Sequence, residues 1–189
     1  MLKDLILKNR SYRRFYQDEK ISLETLKELV DLARLSPSAR NMQPLRFYLS
    51  CEEAKNNIIF KTFAWAGYLK DWAGPEEGER PSAYIIILLD TGITDNNFSD
   101  HCVAAQSILL GAAEKGLGGC MIGSIKRPEL KQVLNLPDNY DILLGIALGK
   151  PKETIVLDPV DAEGDIKYWR DENGVHHVPK RDLEDIIIY

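Results

Sequence analysis

The sequence predicts an α+β fold in a single domain that spans residues 1–189. A chain of 189 residues is long enough to bury a substantial core without dividing into two domains. Segments with helical periodicity and apolar segments typical of strands are both present. They do not follow one another in the regular βα order of a doubly wound parallel sheet, and this irregular order favours α+β.

Five segments have the signals of helices. The clearest begins after Ser22, whose hydroxyl suits an N-cap, and ends before Pro37. A long helix within residues 95–115 is expected to start near Asn97 or Ser99 and to end at Gly116. Its small side chains would let neighbouring backbones approach closely, as in a central helix. The other helices are predicted over residues 1–8, 52–61 and 127–134.

The strands are predicted from apolar runs and turn signals. Residues 83–90 are continuously apolar, which is typical of a strand buried on both faces. The turn sequence at residues 171–174 lies between two short strand-like segments, 166–170 and 175–178, and indicates a hairpin. Further strands are predicted over residues 45–51, 120–122 and 141–148. Residues 62–80 are the least regular part of the chain.

Composition argues against several classes of function. The net charge is −5, so no nucleic-acid footprint is expected. No apolar run approaches the roughly 20 residues that a membrane-spanning helix needs, and the N-terminus lacks a signal peptide, so we expect a cytoplasmic protein. Cys51, Cys102 and Cys120 are odd in number and lack a CxxC pair, which argues against disulfides and zinc. We expect all three to be buried, and we expect no metal site.

Four segments carry groups that suit a phosphorylated, planar ligand. The hexapeptide at residues 10–15 holds three arginines and the Ser11 hydroxyl, and guanidinium groups bind phosphate through two oxygens at once. The loop at residues 37–44 presents two amides, Asn41 and Gln43, that can donate and accept hydrogen bonds. The glycine-rich stretch at residues 116–123 offers backbone N–H groups with little bulk, and Lys180 and Arg181 form a second cationic pair. The alternative is that these are solvated charges and loop-stabilising side chains.

These four segments, in this order and at this spacing, resemble the FMN-dependent nitroreductase family over nearly the whole chain. The resemblance implies a central antiparallel-rich mixed sheet flanked by helices, in an intertwined homodimer. It also implies that residues 179–189 form a C-terminal arm that embraces the partner. The arm ends in the apolar residues 186–189, which should become buried somewhere.

The resemblance assigns roles to individual residues. Arg10, Ser11, Lys180 and Arg181 would bind the FMN phosphate, and Arg13 would lie near the pyrimidine edge of the ring. Arg14 would point elsewhere. The complete set implied to bind FMN is Arg10, Ser11, Arg13, Pro37, Ser38, Asn41, Gln43, Cys120, Met121, Ile122, Gly123, Lys180 and Arg181. Two positions depart from the family pattern: Met121 stands where many members have tryptophan, and Asn9 stands where many have another cation.

No catalytic side chain is expected. The sequence has no nucleophile elbow, no Ser/His/Asp set and no paired carboxylates in an apolar context, whereas a bound flavin carries out redox chemistry itself. The resemblance implies hydride transfer from NAD(P)H to flavin N5, followed by reduction of a nitroaromatic or quinone-like acceptor. Trp65, Tyr68 and Trp72 would face the substrate, although ordinary core and surface positions are the alternative for them.

Two other functions remain open. The first is a flavin-binding carrier or redox sensor without turnover. The second is another flavoenzyme on the same scaffold, dehalogenating or flavin-consuming. Residues 62–80 are short for the lid that this second kind of enzyme usually needs.

Overall fold

The computed structural model describes residues 1–161 and 163–189. Within them the helices are α1 (Leu2–Lys8), α2 (Leu23–Leu35), α3 (Glu53–Phe60), α4 (Asp100–Glu114) and α5 (Arg127–Val133). The strands are β1 (Phe15–Tyr16), β2 (Leu45–Ser50), β3 (Ala83–Asp90), β4 (Gly118–Ile122), β5 (Tyr140–Pro151), β6 (Ile155–Pro159), β7 (Trp169–Arg170) and β8 (His176–Lys180). None of the helices in these two ranges is both long and apolar enough to cross a lipid bilayer.

The central sheet is built on β3 and β5. β3 lies between β2 and β5, and β5 also pairs with β4 and β1; all these pairs are antiparallel. A single parallel bridge joins Ser11 to Gly119 beside this sheet. The predicted α+β class, with an antiparallel-rich mixed sheet between helices, is therefore confirmed.

The strand β3 separates two hydrophobic clusters, as its continuous apolar sequence predicted. Ile85 and Ile87 pack with α2 and α4 on one face of the sheet. Tyr84, Ile86 and Leu88 pack with residues of α3 and α5 on the other. Side chains alternate between the faces of a strand, so an uninterrupted apolar run fits a strand covered on both sides.

Helix α4 is the central helix that its small residues predicted. A Cβ on Gly111 would lie 2.3 Å from Leu32 Cδ1, so α2 and α4 approach closely at this point. Gly116 follows the helix with φ of +69°, a left-handed conformation that favours glycine after a helix end. Ser99 occupies the N-cap, but its side chain makes no capping hydrogen bond.

A second, smaller sheet follows the end of β5. β6 and β8 pair in parallel, and β7 and β8 form the predicted antiparallel hairpin around Gly174, which has φ of +79°. The first hairpin strand is shorter than predicted and the second continues to Lys180. The parallel pairing of β6 with β8 was not predicted, because both strands are short and lie about twenty residues apart in sequence.

Three local predictions were wrong or incomplete. Cys120 is buried, but Cys51 is only half-buried and Cys102 is exposed, because Cys102 lies on the solvent side of α4. The strand β1 was not predicted, because a segment of two residues is too short to show the alternation of apolar and polar side chains that is typical of a strand. β5 extends beyond the predicted residues 141–148, and Gly145 and Gly149 fit it because the rings of Phe63 and Phe15 pack against them.

Candidate functional site

The arginine-rich hexapeptide, here called the arginine motif (residues 10–15), runs beside the glycine-rich start of β4. Ser11 forms the parallel bridge with Gly119, and the Tyr12 backbone N–H donates to the Gly119 carbonyl at 3.0 Å. The Arg10 guanidinium donates to the carbonyls of Asn9 at 2.6 Å and Ile6 at 2.7 Å, at the end of α1. Two of the predicted site segments are thus adjacent in the fold.

Arg13 and Arg14 point to different surroundings. The Arg14 guanidinium donates to both carboxylate oxygens of Glu79, at 2.5 and 2.6 Å, and with Lys152 it lowers the pKa of Glu79 to about 2. Arg14 thus points away from Arg13, as predicted. The Arg13 guanidinium lies instead 3.4 Å from His176 Nε2 and 4.8 Å from the centre of the Tyr168 ring.

A cleft of about 310 Å³, the cationic cleft, lies between the arginine motif and the hairpin. Its described lining contains three cations, Arg10, Arg13 and Lys180, and no Asp or Glu. The remaining lining residues are Asn9, Ser11, Gln106, Leu109, Gly119, Met121, Tyr168, His176 and Val178. This charge arrangement suits an anion such as a phosphate. Arg181 is exposed beyond the end of β8 and does not line the cleft.

A second cleft of about 180 Å³, the β4 cleft, adjoins the first. Arg13 and Met121 line both. Residues 120–123, all predicted site residues, form one wall, and residues 64–67 form the other. Burial raises the pKa of the Cys120 thiol above its ordinary value, so this thiol stays protonated near neutral pH.

The loop at residues 37–44 lies elsewhere. Pro37, Ser38 and Gln43 line a third cleft of about 200 Å³, which shares no lining residue with the other two. The side chains of Asn41 and Gln43 are exposed. One protomer therefore brings together the arginine motif, the glycine-rich stretch and Lys180, but it does not bring these amides to them.

Asp100, a residue that the sequence did not single out, holds this loop. Its carboxylate accepts from Ser38 Oγ at 2.6 Å and from the Ala39 backbone N–H at 3.0 Å. Arg40, Asn41 and Gln43 have φ of +52°, +53° and +52°. Residues other than glycine rarely adopt this conformation unless the surroundings hold them there. The buried Asp100 supplies part of that constraint.

The aromatic residues predicted to face the substrate divide into two groups. Trp65 is buried and lines the β4 cleft. Tyr68 packs on Tyr168 with ring centres 4.9 Å apart, and the Arg170 guanidinium lies 4.8 Å from the centre of the Trp72 ring. Tyr68 and Trp72 therefore contact the hairpin and line neither of the two adjoining clefts.

The site also contains three residues that were not predicted: Glu153, Tyr168 and His176. Glu153 is buried and accepts hydrogen bonds from the Arg13 and Arg14 backbone N–H groups at 2.5 and 3.3 Å. His176 lines the cationic cleft and is also buried. Burial, followed by the charges of Arg13, Arg170 and His177, lowers the pKa of His176 to about 4. The sequence offered two signals for these residues, namely the predicted hairpin and an acidic residue shortly after Pro151.

Comparison with known proteins shows which family shares this architecture. The family model for the Nitroreductase family matches residues 6–150, which is more than half of the chain. Nitrobenzene nitroreductase of Ectopseudomonas oleovorans is 24% identical to this chain over an alignment that covers 77% of this chain and 85% of that protein.

Two solved structures share the fold. The FMN-dependent nitroreductase of Clostridium difficile R20291 superposes with a TM-score of 0.63 at 23% identity, over 78% of this chain and 86% of that one. The NADPH:FMN oxidoreductase of Vibrio harveyi, complexed with NAD⁺, superposes with a TM-score of 0.67 at 22% identity, over 98% of this chain and 81% of that one. Because the family model matches more than half of the chain and the fold is shared, the chain belongs to the nitroreductase family.

Proposed function

We propose that this protein is an FMN-dependent oxidoreductase that takes electrons from NAD(P)H and passes them to small oxidised acceptors. The observation that carries the proposal is the cationic cleft, where Arg10, Arg13 and Lys180 converge in a described lining without a carboxylate. The phosphate of FMN carries close to two negative charges near neutral pH, so it fits such a lining. Its structural relatives include an FMN-dependent nitroreductase and an NADPH:FMN oxidoreductase, which agrees with this cofactor and donor.

The chain's own residues divide between binding and electrostatics. Arg10, Ser11 and Lys180 would hold the phosphate, and the backbone of residues 118–123 would border the ring in the β4 cleft. Arg181 is exposed and would reach the phosphate only by a movement of the chain end. When bound, FMN supplies the hydride chemistry of the reaction, so none of these side chains needs to act as a nucleophile or a general acid.

Arg13 would adjust the electron affinity of the site. It lines both adjoining clefts, so its charge lies where the phosphate-binding and ring-binding regions meet. Reduction adds negative charge to the pyrimidine edge of a flavin, and a fixed guanidinium nearby favours that form. At an effective dielectric constant near 20, a unit charge pair about 4 Å apart interacts by up to about 4 kcal/mol, before desolvation costs.

A second protomer would complete the site. The loop with Asn41 and Gln43 lies outside the cationic and β4 clefts of its own chain, and exposed side chains are available to a partner. The C-terminal segment leaves Ile188 98% exposed and Tyr189 fully exposed, and large apolar side chains at a free surface favour association. In this homodimer residues 179–189 form the arm, and the amides of one chain reach the flavin edge of the other.

The reaction would be ping-pong hydride transfer, with nitroaromatic or quinone-like acceptors taking the place of the nicotinamide. Trp65 and Met121 line the β4 cleft, and we place the acceptor beside them. A carrier or sensor would bind FMN equally well but would not turn over. Steady-state oxidation of NADH and of NADPH with a quinone and with a nitroaromatic compound separates these two functions.

Flavin content is the first test. We expect the purified protein to have the visible bands of oxidised flavin, and acid-released flavin to elute as FMN on a column. Release of FAD, or no flavin after incubation with excess FMN, would contradict the proposed cofactor. Flavin binding without NAD(P)H oxidation would leave the carrier function.

A further inference from the structure

Glu153 connects two parts of the chain that form walls of the cationic cleft, the arginine motif and the hairpin. It lies in the link between β5 and β6, where the central sheet gives way to the small sheet. The side chain of Glu153 is only 1% exposed. A buried carboxylate requires partners, because an unpaired charge away from water is costly.

The partners of Glu153 come from both walls. One carboxylate oxygen accepts from the Arg13 N–H at 2.5 Å and the Arg14 N–H at 3.3 Å, in the arginine motif. The other accepts from Arg170 Nη2 at 3.0 Å, in β7 of the hairpin. The same hairpin brings Tyr168, His176 and Lys180 to the cleft.

We propose that Glu153 is a positioning residue that joins the arginine motif to the hairpin through Arg170 and so sets the width of the cationic cleft. Arg170 extends the connection, since its guanidinium also packs on the Trp72 ring at 4.8 Å. Glu153 does not line the cleft and acts through the backbone of Arg13. The consequence for FMN rests on the proposed function, whereas the connection between the two walls does not.

Glu79 offers a matched control. It is a second carboxylate bound to the same motif, through the Arg14 side chain, and its side chain is 17% exposed. Among the described residues its ion pairs are with Arg14 and Lys152, and neither belongs to the hairpin. Glu79→Gln therefore removes a charge beside the motif without cutting the connection between the walls.

Four variants test the inference: Glu153→Gln, Arg170→Leu, Arg170→Lys and Glu79→Gln. Hydrogen–deuterium exchange of the flavin-free proteins should show faster exchange in residues 165–180 for Glu153→Gln and Arg170→Leu, and unchanged exchange there for Glu79→Gln. Fluorescence titration should show FMN dissociation constants raised about tenfold or more in the first two variants, because FMN binding must then order a hairpin that the charged hydrogen bond no longer holds. Arg170→Lys, which keeps a cation for Glu153, should lie closer to the wild type than Arg170→Leu.

The outcomes separate this inference from the proposed function. A wild-type protein that does not bind FMN contradicts the proposed function. The exchange experiment then still tests whether Glu153 connects the arginine motif to the hairpin. A wild type that binds FMN, together with a folded Glu153→Gln protein of equal affinity and unchanged hairpin exchange, overturns the inference. The inference would also be overturned if Glu79→Gln lost as much FMN affinity as Glu153→Gln, and if the affinity lost in each variant were proportional to its loss of thermal stability. If circular dichroism shows that Glu153→Gln is unfolded, the same two measurements on Arg170→Leu and Glu79→Gln decide whether the inference holds.

Discussion

The Arg13 guanidinium and the His176 imidazole face each other, with Nη1 3.4 Å from Nε2. An arginine side chain only donates hydrogen bonds, so Nε2 must accept and the ring proton must lie on Nδ1. The Nδ1 atom is buried and has no partner among the described residues. The neutral state of His176 therefore supports the cation that we place beside the flavin, because a second positive charge would repel it.

The first prediction concerns stability between pH 7 and pH 5. The pKa of His176 is lowered from 6.5 to about 4, so the folded state binds fewer protons than the unfolded state in this window. Its contribution to stability is complete above pH 6.5 and is lost as the pH falls through 4. Urea unfolding should show a loss of about 1–2 kcal/mol from pH 7 to pH 5 that His176→Gln removes. His101, whose pKa burial also lowers, supplies the control variant His101→Asn, which should keep most of the loss.

The second prediction concerns more acidic solution. Hydrogen bonding with Arg14 lowers the pKa of Glu79 from 4.5 to about 2, so this pair stabilises the fold above pH 4.5 and loses that effect as the pH falls through 2. Thermal unfolding should show the wild type more stable than Glu79→Gln at pH 5, with the difference reduced by about half at pH 3. A difference that is constant over this range would mean that the ion pair does not form.

The third prediction separates Arg10 from Arg13. Arg10→Ala should weaken FMN binding about 10- to 150-fold, because a charged hydrogen bond to the phosphate contributes roughly 1.5–3 kcal/mol in both redox states. Arg13→Ala should lower the midpoint potential, and each 1.4 kcal/mol lost from the reduced form corresponds to about 30 mV. Redox titration of both variants in excess FMN is the measurement. A normal potential in Arg13→Ala together with a shifted potential in Arg10→Ala would invert the two roles.

The fourth prediction concerns the backbone contact between β4 and β5. A Cβ on Gly119 would lie 2.6 Å from the Ala147 carbonyl oxygen and 2.6 Å from Leu109 Cδ2. Gly119→Ala should therefore reduce the free energy of unfolding by about 1–3 kcal/mol through overpacking. At Gly123 a Cβ would meet no atom within 4 Å, so Gly123→Ala is the control and should leave stability nearly unchanged. Equal stability of the two variants in urea would show that Gly119 has more room than the structure gives it.

The fifth prediction concerns the C-terminal arm. Ile186 is 63% exposed and Ile188 98% exposed in the single chain, and burying such side chains against a partner stabilises a dimer. Deletion of residues 182–189 should lower both dimer stability and flavin occupancy. Sedimentation and flavin absorbance measure the two effects. A truncated protein that remains a flavin-bound dimer would show that the arm is dispensable.

The sequence by itself determined features that depend on neighbouring residues. Ser22 caps α2 by accepting from the Thr25 N–H at 3.1 Å, and Gly116 ends α4, as predicted. The apolar run of β3 and the hairpin turn at Gly174 were also predicted correctly. Capping, turn geometry and strand alternation act over a few residues, so they can be read without knowing the fold. The resemblance of four segments also identified the family.

Tertiary structure alone decided which distant groups meet. Asp100 binds Ser38 across 62 positions of sequence, and Glu153 binds the Arg13 backbone across 140. Neither acid carries a local signal, because its role depends on partners that only folding brings within hydrogen-bonding distance. The same holds for the separation of the Asn41 and Gln43 loop from the cationic cleft of its own chain. Periodicity predicts the face on which a side chain lies, but the packing of helices and sheets decides what that face meets.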